Sequence, residues 1–336
     1  MSRLNLTRSQ VLAFRRRVGA LGERLPHGRR SLRRAAWAGL QDSMPRAALL
    51  SIHARVEGTE PSTWEDPSLV QLWGPRYNAY VVAARDLAVF TLGRLPESGT
   101  TRQTANDLAA RLRAFLGEAR MRYDEAGQGI GVHGNALRYA ALTGTVAIRW
   151  EGARLPTVWT VPPPDVDPHA ARLELARRFL HIFGPAAPEG FAEWAGIAGR
   201  RGSEAFDALR RSVIPVRTPL GDAWILTRDE PTFREAPGPE APARLLPSGD
   251  SYYLGPDRAL LIPDVDRRRE LWTPRVWPGA LLVEGEIVGT WRRSQGIVSV
   301  KVWRRLQRTA RDAVEAEAEA LPLPGIKGRI VVRWAT

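Results

Sequence analysis

Cysteine is absent from the 336 residues. That excludes disulfide scaffolds, cysteine-ligated zinc and iron–sulfur clusters. Lysine is nearly absent, with only Lys301 and Lys327. No stretch approaches the roughly twenty apolar residues of a membrane span. The opening "MSRLNLTRSQVLAF" lacks an apolar signal segment ahead of a small-residue cleavage site. These absences set the expectation of a cytoplasmic protein without membrane contact. The five histidines (His27, His53, His133, His169, His181) are scattered, with no paired spacing such as HxxxH. No metal site and no cofactor are expected.

Hydrophobic residues make up 44% of the chain, with twelve Trp, so a packed core is favoured over disorder. The length suggests about two or three domains. Forty-nine Lys plus Arg oppose thirty-six Asp plus Glu, a formal net charge of +13 carried almost entirely by arginine. Guanidinium forks onto phosphate oxygens, so the excess points to a polyanion, nucleic acid before membrane. GC-rich coding would give the same composition, and location decides between the two. Residues 1–50 hold eleven arginines against only Glu23 and Asp42. A solvated helix face mixes signs; this stretch does not, which favours phosphate contact.

The pattern along the chain repeats. "LTRSQVLAFRRRVGAL" reads as a helix capped by Thr7 or Asn5, with Val11, Leu12, Phe14, Val18 and Leu21 on one face. "SLRRAAWAGLQ" and "PRAALLSIHARV", the latter led by Pro45, are two more helices, followed by strand-like "RYNAYVVA" and "DLAVFTLGRL". Three helices and then extended chain is the order of a winged-helix unit. It recurs with the long helix "TRQTANDLAARLRAFLGEARMRY", the short helix "GNALRYAAL" and the hairpin "TVAIRWEGARLPTVWTV", whose tip lies near Glu151, Gly152 and Ala153. It recurs again from "DPHAARLELARRFLHIFG" to "SVIPVRTPLGDAWILTRDEP". The repeat is one of pattern, without residue identity. "REAPGPEAPAR" is a Pro-rich linker. Beyond it "DSYYLG", "RALLI", "GALLVEGEIVGTW" and "GIVSVKVW" lean to β structure, followed by a charged helix and the closing strand "GRIVVRW". The expected fold is α+β: units over 1–100, 101–165 and 166–233, a linker over 234–244 and a β-rich region over 245–336.

"ARRFLHIFGPAAPEGFAEWAGI", "RLLPSGDSYYLG" and "GALLVEGEIVGTWRR" resemble signature stretches of the AlkZ-like winged-helix family. The likeness runs from about Leu4 to Trp334, and Val283, Gly285, Gly289, Thr290, Trp291, Arg292 and Arg293 form its most specific motif. The resemblance implies three tandem winged-helix modules and a β-rich C-terminal part around duplex DNA. It also implies a DNA glycosylase for bulky alkylated purines. Such enzymes carry a Gln–apolar–Gln or Gln–apolar–Asp motif within "GLQxQxP". Here the match is Gly39 to Pro45: Gln41 fits the first place, Ser43 stands at the second, and Asp42 occupies the middle. The frequent "RGTLH" reads "RYNAY", keeping Arg76 and placing Asn78 and Tyr80 later.

An N7-alkylated purine is cationic and leaves readily, so hydrolysis asks for a positioned water and stabilisation of oxocarbenium-like charge. Gln41 and Ser43, two residues apart in an extended turn, can hold one water. Asp42 is the better base but points the other way unless the turn rotates it. Equally, Asp42 or Ser43 can serve as the N-cap of the next helix. Schiff-base lyase chemistry needs an amine, and the two lysines lie far along the chain. Arg33, Arg34 and Arg46 flank Gln41 and are candidate DNA contacts, with Arg76. Arg149 and Arg154 belong to a hairpin that can enter a groove, and Arg292 and Arg293 close the last motif. Trp277 and Trp291 read as core. Two functions remain open: a monofunctional glycosylase, or a non-catalytic winged-helix DNA binder or regulator in which the turn is structural. Both bind duplex DNA, and three modules in one chain suit a monomer.

Overall fold

The computed structural model describes residues 3–44, 46–152, 154–326 and 328–335. Pro45, Ala153 and Lys327, each singled out in the sequence, lie outside these. β1 (Leu4–Asn5) and α1 (Arg8–Val18) open the chain. Thr7 caps α1: its hydroxyl accepts from the Gln10 N–H, and the Gln10 side chain accepts from the Thr7 N–H at 2.9 Å. α2 (Arg29–Ala35), β2 (Leu40–Gln41), α3 (Ala47–His53), β3 (Leu69–Trp73), β4 (Ala79–Ala83) and α4 (Leu87–Thr91) follow. β2, β4 and β3 form an antiparallel sheet in that order.

α5 (Thr100–Leu116), β5 (Met121–Arg122), α6 (Tyr123–Gly129), α7 (Leu137–Ala140), β6 (Val146–Arg149) and β7 (Thr157–Thr160) make a second sheet, ordered β5-β7-β6. The helix expected to reach Tyr123 stops at Leu116, because Gly117 turns the backbone left-handed at φ 55°. α8 (Pro168–Phe183), α9 (Pro188–Ala195), α10 (Gly199–Leu209), β8 (Val213–Thr218), β9 (Gly221–Leu226) and α11 (Glu230–Arg234) come next. Their sheet runs β1-β8-β9, with Ala186 bridging Trp224 on the far side of β9. The opening segment also reaches well beyond its neighbours in sequence. β1 pairs in parallel with β8, and Phe14 stacks on Phe233 at 3.8 Å between centroids. The apolar face of α1 was legible; the distant core it joins, around Val216, Ile225 and Leu260, was not.

β10 (Ala243–Leu246), α12 (Arg258–Leu261), α13 (Val265–Leu271), β11 (Gly279–Val283), β12 (Glu286–Ser294), β13 (Ile297–Val302), α14 (Arg308–Glu319) and β14 (Val331–Trp334) complete the chain. Their sheet runs β10 to β14 in chain order. Strand alternation gives it two apolar faces. Leu245, Leu281, Val283 and Val300 pack under Val314 and Ala318 of α14. Leu246, Ala280 and Leu282 face Leu12, Leu21 and Ala54 of the N-terminal part. "RALLI" is a short helix instead of extended chain, and the last two linker residues, Ala243 and Arg244, are already in β10. The whole is α+β. Among the described residues no helix is long and apolar enough to cross a membrane.

Candidate active site

The Gln41–Ser43 turn leaves the edge of the first sheet. Gln41 stands opposite Tyr80 in the β2–β4 pairing, and the Asp42 N–H still donates to the Ala79 carbonyl at 2.8 Å. Extended backbone throws alternate side chains to opposite sides. Gln41 and Ser43 consequently share one side, where Nε2 of Gln41 donates to Oγ of Ser43 at 2.6 Å. Both are half-buried. The Tyr80 hydroxyl points at Oε1 of Gln41 from 3.4 Å, at the long end for a hydrogen bond. Burial pushes the Tyr80 phenol up to about 12, opposed by the guanidinium groups of Arg76 and Arg94. It therefore stays protonated and donates.

Asp42 goes to the other side and is buried. Oδ1 accepts the Ala48 N–H at 3.0 Å and Oδ2 accepts from Nε2 of Gln71 at 2.7 Å. Oε1 of Gln71 accepts the Trp150 N–H at 2.5 Å, which ties the turn to the β6–β7 hairpin. The rotation that would make Asp42 the base beside Gln41 does not occur, since the α3 N-terminus and Gln71 hold the carboxylate. Asp42, and not Ser43, satisfies the helix start, and α3 begins at Ala47 after a left-handed Arg46 (φ 65°). Burial raises the Asp42 carboxyl to about 6, against the pull of the Ala48 N–H, Arg46 and Gln71. Its ionised form is therefore in only modest excess at neutral pH, one residue behind the amide.

The C-terminal part covers the other side of the turn. Gly249 (φ +76°) lies so close that a Cβ there would stand 3.0 Å from Nε2 of Gln41. Its neighbour Asp250 is buried and takes two bonds from Arg55, each 2.7 Å, and one from the Ser51 hydroxyl at 2.7 Å. This pair fixes the 247–250 loop on α3. A cavity of about 170 Å³ opens beside it, with Met44 and Ser248 at its mouth and Trp277, Trp291 and Leu50 in its walls. Trp291 is a core residue, as expected, with its indole N–H on the Leu246 carbonyl at 2.9 Å. Trp277 is half-buried in the same wall.

The candidate DNA contacts divide. The guanidinium carbons of Arg46 and Arg149 lie 3.9 and 3.6 Å from the Trp64 ring centroid. Two groups that close to one ring occupy its opposite faces. Arg149 also bonds Glu65 at 2.6 Å, so this hairpin arginine is partly spent inside the protein. Arg292 is exposed and donates to the Val276 carbonyl at 3.0 Å; Arg293, half-buried, lines the same cavity as Met44, and burial alone lowers its pKa. Arg154 is exposed on the β6–β7 hairpin. Arg76, left-handed at φ 53°, packs against Gly196 and beside Tyr80. Arg33 bonds the Arg29 carbonyl at 3.3 Å, while Arg34 opens with Arg16 and Arg17 onto a different cavity on the α1 side. The structure thus gathers Arg46, Arg149, Arg292 and Arg293 near the turn and leaves Arg34 elsewhere.

The sequence marks neither Gln71 nor Trp64 as a site residue. Tyr80 carries a signal as a departure within "RYNAY", and Gly249 lies within the signature stretch "RLLPSGDSYYLG". Lys301 is held by Glu270 at 2.9 Å, on β13. Among the described residues no group of three or more His, Asp or Glu comes together to hold a metal ion.

The fold is similar to that of the DNA glycosylase AlkZ of Streptomyces sahachiroi, with a TM-score of 0.79 and 19% identity over 99% of this chain and 100% of that one. No curated protein matches the chain in sequence. The sequence pattern of the family described as "DNA glycosylase AlkZ-like" matches residues 34–322. The chain belongs to the AlkZ-like DNA glycosylase family.

Proposed function

We propose that this chain is a monofunctional glycosylase that hydrolyses the N-glycosidic bond of bulky N7-alkylated purines in duplex DNA, as a cytoplasmic monomer. The observation that carries the reading is the Gln41 amide and Ser43 hydroxyl held together on one side of a strand edge, at 2.6 Å. Oε1 of Gln41 and the Ser43 hydroxyl proton remain to orient a water toward C1′. That water adds as the bond from N9 to C1′ breaks. The bond's electron pair leaves with the base and neutralises its cationic ring, and the water's proton passes to solvent. The ionised Asp42 behind the turn favours the oxocarbenium-like charge through its field. The side-chain amine that remains in the described residues, Lys301, is ion-paired away from the turn, which supports hydrolysis over lyase chemistry.

The scaffold reading is three winged-helix modules over about 1–100, 101–165 and 166–233, a linker over 234–244 and a β-rich region over 245–336. In its support, the first two sheets share one strand order, edge strand, last strand, middle strand. In the third the Ala186 bridge to β9 takes the edge place, and β1 is an added strand from the N-terminus. On this reading Arg46, Arg154, Arg292 and Arg293 contact phosphates, and binding weakens steeply with salt.

A second reading has a specific observation in its favour. The Gln41–Ser43 bond ties the two side chains to each other, as a purely structural turn would, in a DNA-binding protein without catalysis. Base release decides. Duplex DNA carrying N7-methylguanine or a bulkier N7 adduct is incubated with wild type and Gln41→Ala and assayed for abasic sites. A fall of about tenfold or more in the variant, roughly 1.4 kcal/mol of transition-state stabilisation, is expected. No release from any adduct by wild type, with DNA binding intact, overturns the enzyme reading.

A further inference from the structure

The cavity next to the turn has walls unlike the rest of this arginine-rich surface. It begins one residue on from each segment that holds the Gln41 amide: Met44 follows Ser43, and Ser248 precedes Gly249. Leu50, Trp277 and Trp291 form its apolar part, and Arg292 and Arg293 line it too. Met44 at the mouth is 37% exposed, large for an apolar side chain. An apolar recess this close to a water-positioning pair, in a protein whose partner is a polyanion, does not suit the DNA backbone. It suits an apolar group that the DNA carries.

We propose that this cavity receives the substituent on N7 of the adducted purine and selects arms ending in a single aromatic or similarly sized apolar ring. The inference rests on the glycosylase reading. The volume of about 170 Å³ matches one ring, since an apolar cavity of about 150 Å³ takes one benzene ring. The side chains set the chemistry. Two indoles and a leucine offer stacking and apolar contact, and they present no carboxylate that would favour a charged arm. Arg292 and Arg293 in the same lining suit the phosphate that flanks the lesion. The recess thereby couples recognition to chemistry. An arm seated in it holds C1′ of the same nucleotide beside Gln41, whereas a methyl group leaves the recess unfilled and the sugar free to shift.

The test uses the full chain and duplexes with one N7-methylguanine or one N7-benzylguanine, in single-turnover base release corrected for spontaneous loss. Wild type is expected to release the benzylated base at least about tenfold faster than the methylated one, and a two-ring naphthylmethyl arm is expected to gain nothing beyond benzyl. Met44→Trp, at the exposed mouth, and Ser248→Phe, from the opposite rim, are each expected to bring the benzyl-to-methyl ratio close to one. Thermal midpoints of both variants report folding, and Met44 is exposed enough that its replacement keeps the fold. Equal release of methyl and benzyl by wild type, or a ratio that both folded variants leave intact, overturns this inference and spares the glycosylase reading. Release of neither base by wild type overturns both.

Discussion

β2 joins β4 at the edge of the first sheet as β5 joins β7 at the edge of the second, each through two residue pairs. Beyond β5 the chain enters α6 at once. Arg122 there is exposed and spends itself on Asp124 at 2.6 Å and on Glu125, its neighbours in sequence. β2 instead ends on Gln41 and runs into Asp42 and Ser43. Asp42 is buried as the anchor of α3, and Gln41 is covered by a glycine more than two hundred residues away. The local topology is the same, and the difference lies in the cover. The 247–250 loop, pinned by Arg55 and Asp250, turns a strand edge into an enclosed place where an amide keeps one orientation. The catalytic candidate is therefore a product of tertiary docking rather than of the sheet unit that carries it.

That comparison breaks most visibly at Asp250. Its pair with Arg55 is bidentate and almost wholly buried. Asp250→Asn leaves a buried guanidinium uncompensated, and a loss of about 3–5 kcal/mol is expected in chemical denaturation. Arg122→Ala at the other edge is expected to cost little, as exposed pairs do. Similar losses in the two variants would mean that the cover contributes nothing special. The anchor has its own signature in pH. The Asp42 carboxyl is raised by burial from its ordinary 3.8 to about 6 in the folded chain. A raised folded value means that the favourable contribution is full below about pH 4 and is lost as pH rises through about 6. The stability of wild type relative to Asp42→Asn is thus expected to shrink between pH 4.5 and 7. A gap that widens instead would show that the helix N-terminus and Gln71 outweigh burial.

How legible was this beforehand? Strand alternation placed Gln41 and Ser43 on one side and Asp42 on the other, and the structure keeps that arrangement. The Thr7 cap and the apolar face of α1 were equally plain, because both are set by neighbours within a few residues. What α1 packs against was not legible, since an amphipathic pattern states that a face is buried and not by what. The same limit hid Tyr80, Gln71 and Gly249. Each reaches the turn through strand register or domain docking, across 29 residues or more, and no local spacing encodes that. Arg149 shows the converse. Sequence read its charge as available, and Glu65 and Trp64 claim part of it.

Gly249 sharpens the comparison with a smaller change. The left-handed backbone at φ +76° costs any other residue about 1 kcal/mol, and a Cβ would press on the Gln41 amide from 3.0 Å. Gly249→Ala is expected to fold, with a modestly lower denaturation midpoint, and to lose about tenfold in base release, roughly 1.4 kcal/mol at the transition state. An alanine variant that keeps full release would mean that the amide does not need its orientation held from the C-terminal side.

The smallest effect is expected at Tyr80, the first sheet's own contribution to that orientation. Its hydroxyl faces Oε1 of Gln41 at 3.4 Å, a weak contact, while Nε2 is already fixed by Ser43 at 2.6 Å. Removing the hydroxyl in Tyr80→Phe costs roughly 0.5–1 kcal/mol, or about two- to fivefold in kcat. KM for the duplex is expected to stay where it was, since Tyr80 is wholly buried and cannot touch DNA. A general packing defect would instead lower the thermal midpoint and raise KM together. The pH profile separates the remaining alternative. With the phenol held up at about 12, Tyr80 keeps its proton throughout any practical assay, so wild type and Tyr80→Phe are expected to share the same profile below pH 10. A basic limb present in wild type and missing from the phenylalanine variant would make Tyr80 a proton donor in the reaction and not a support for Gln41.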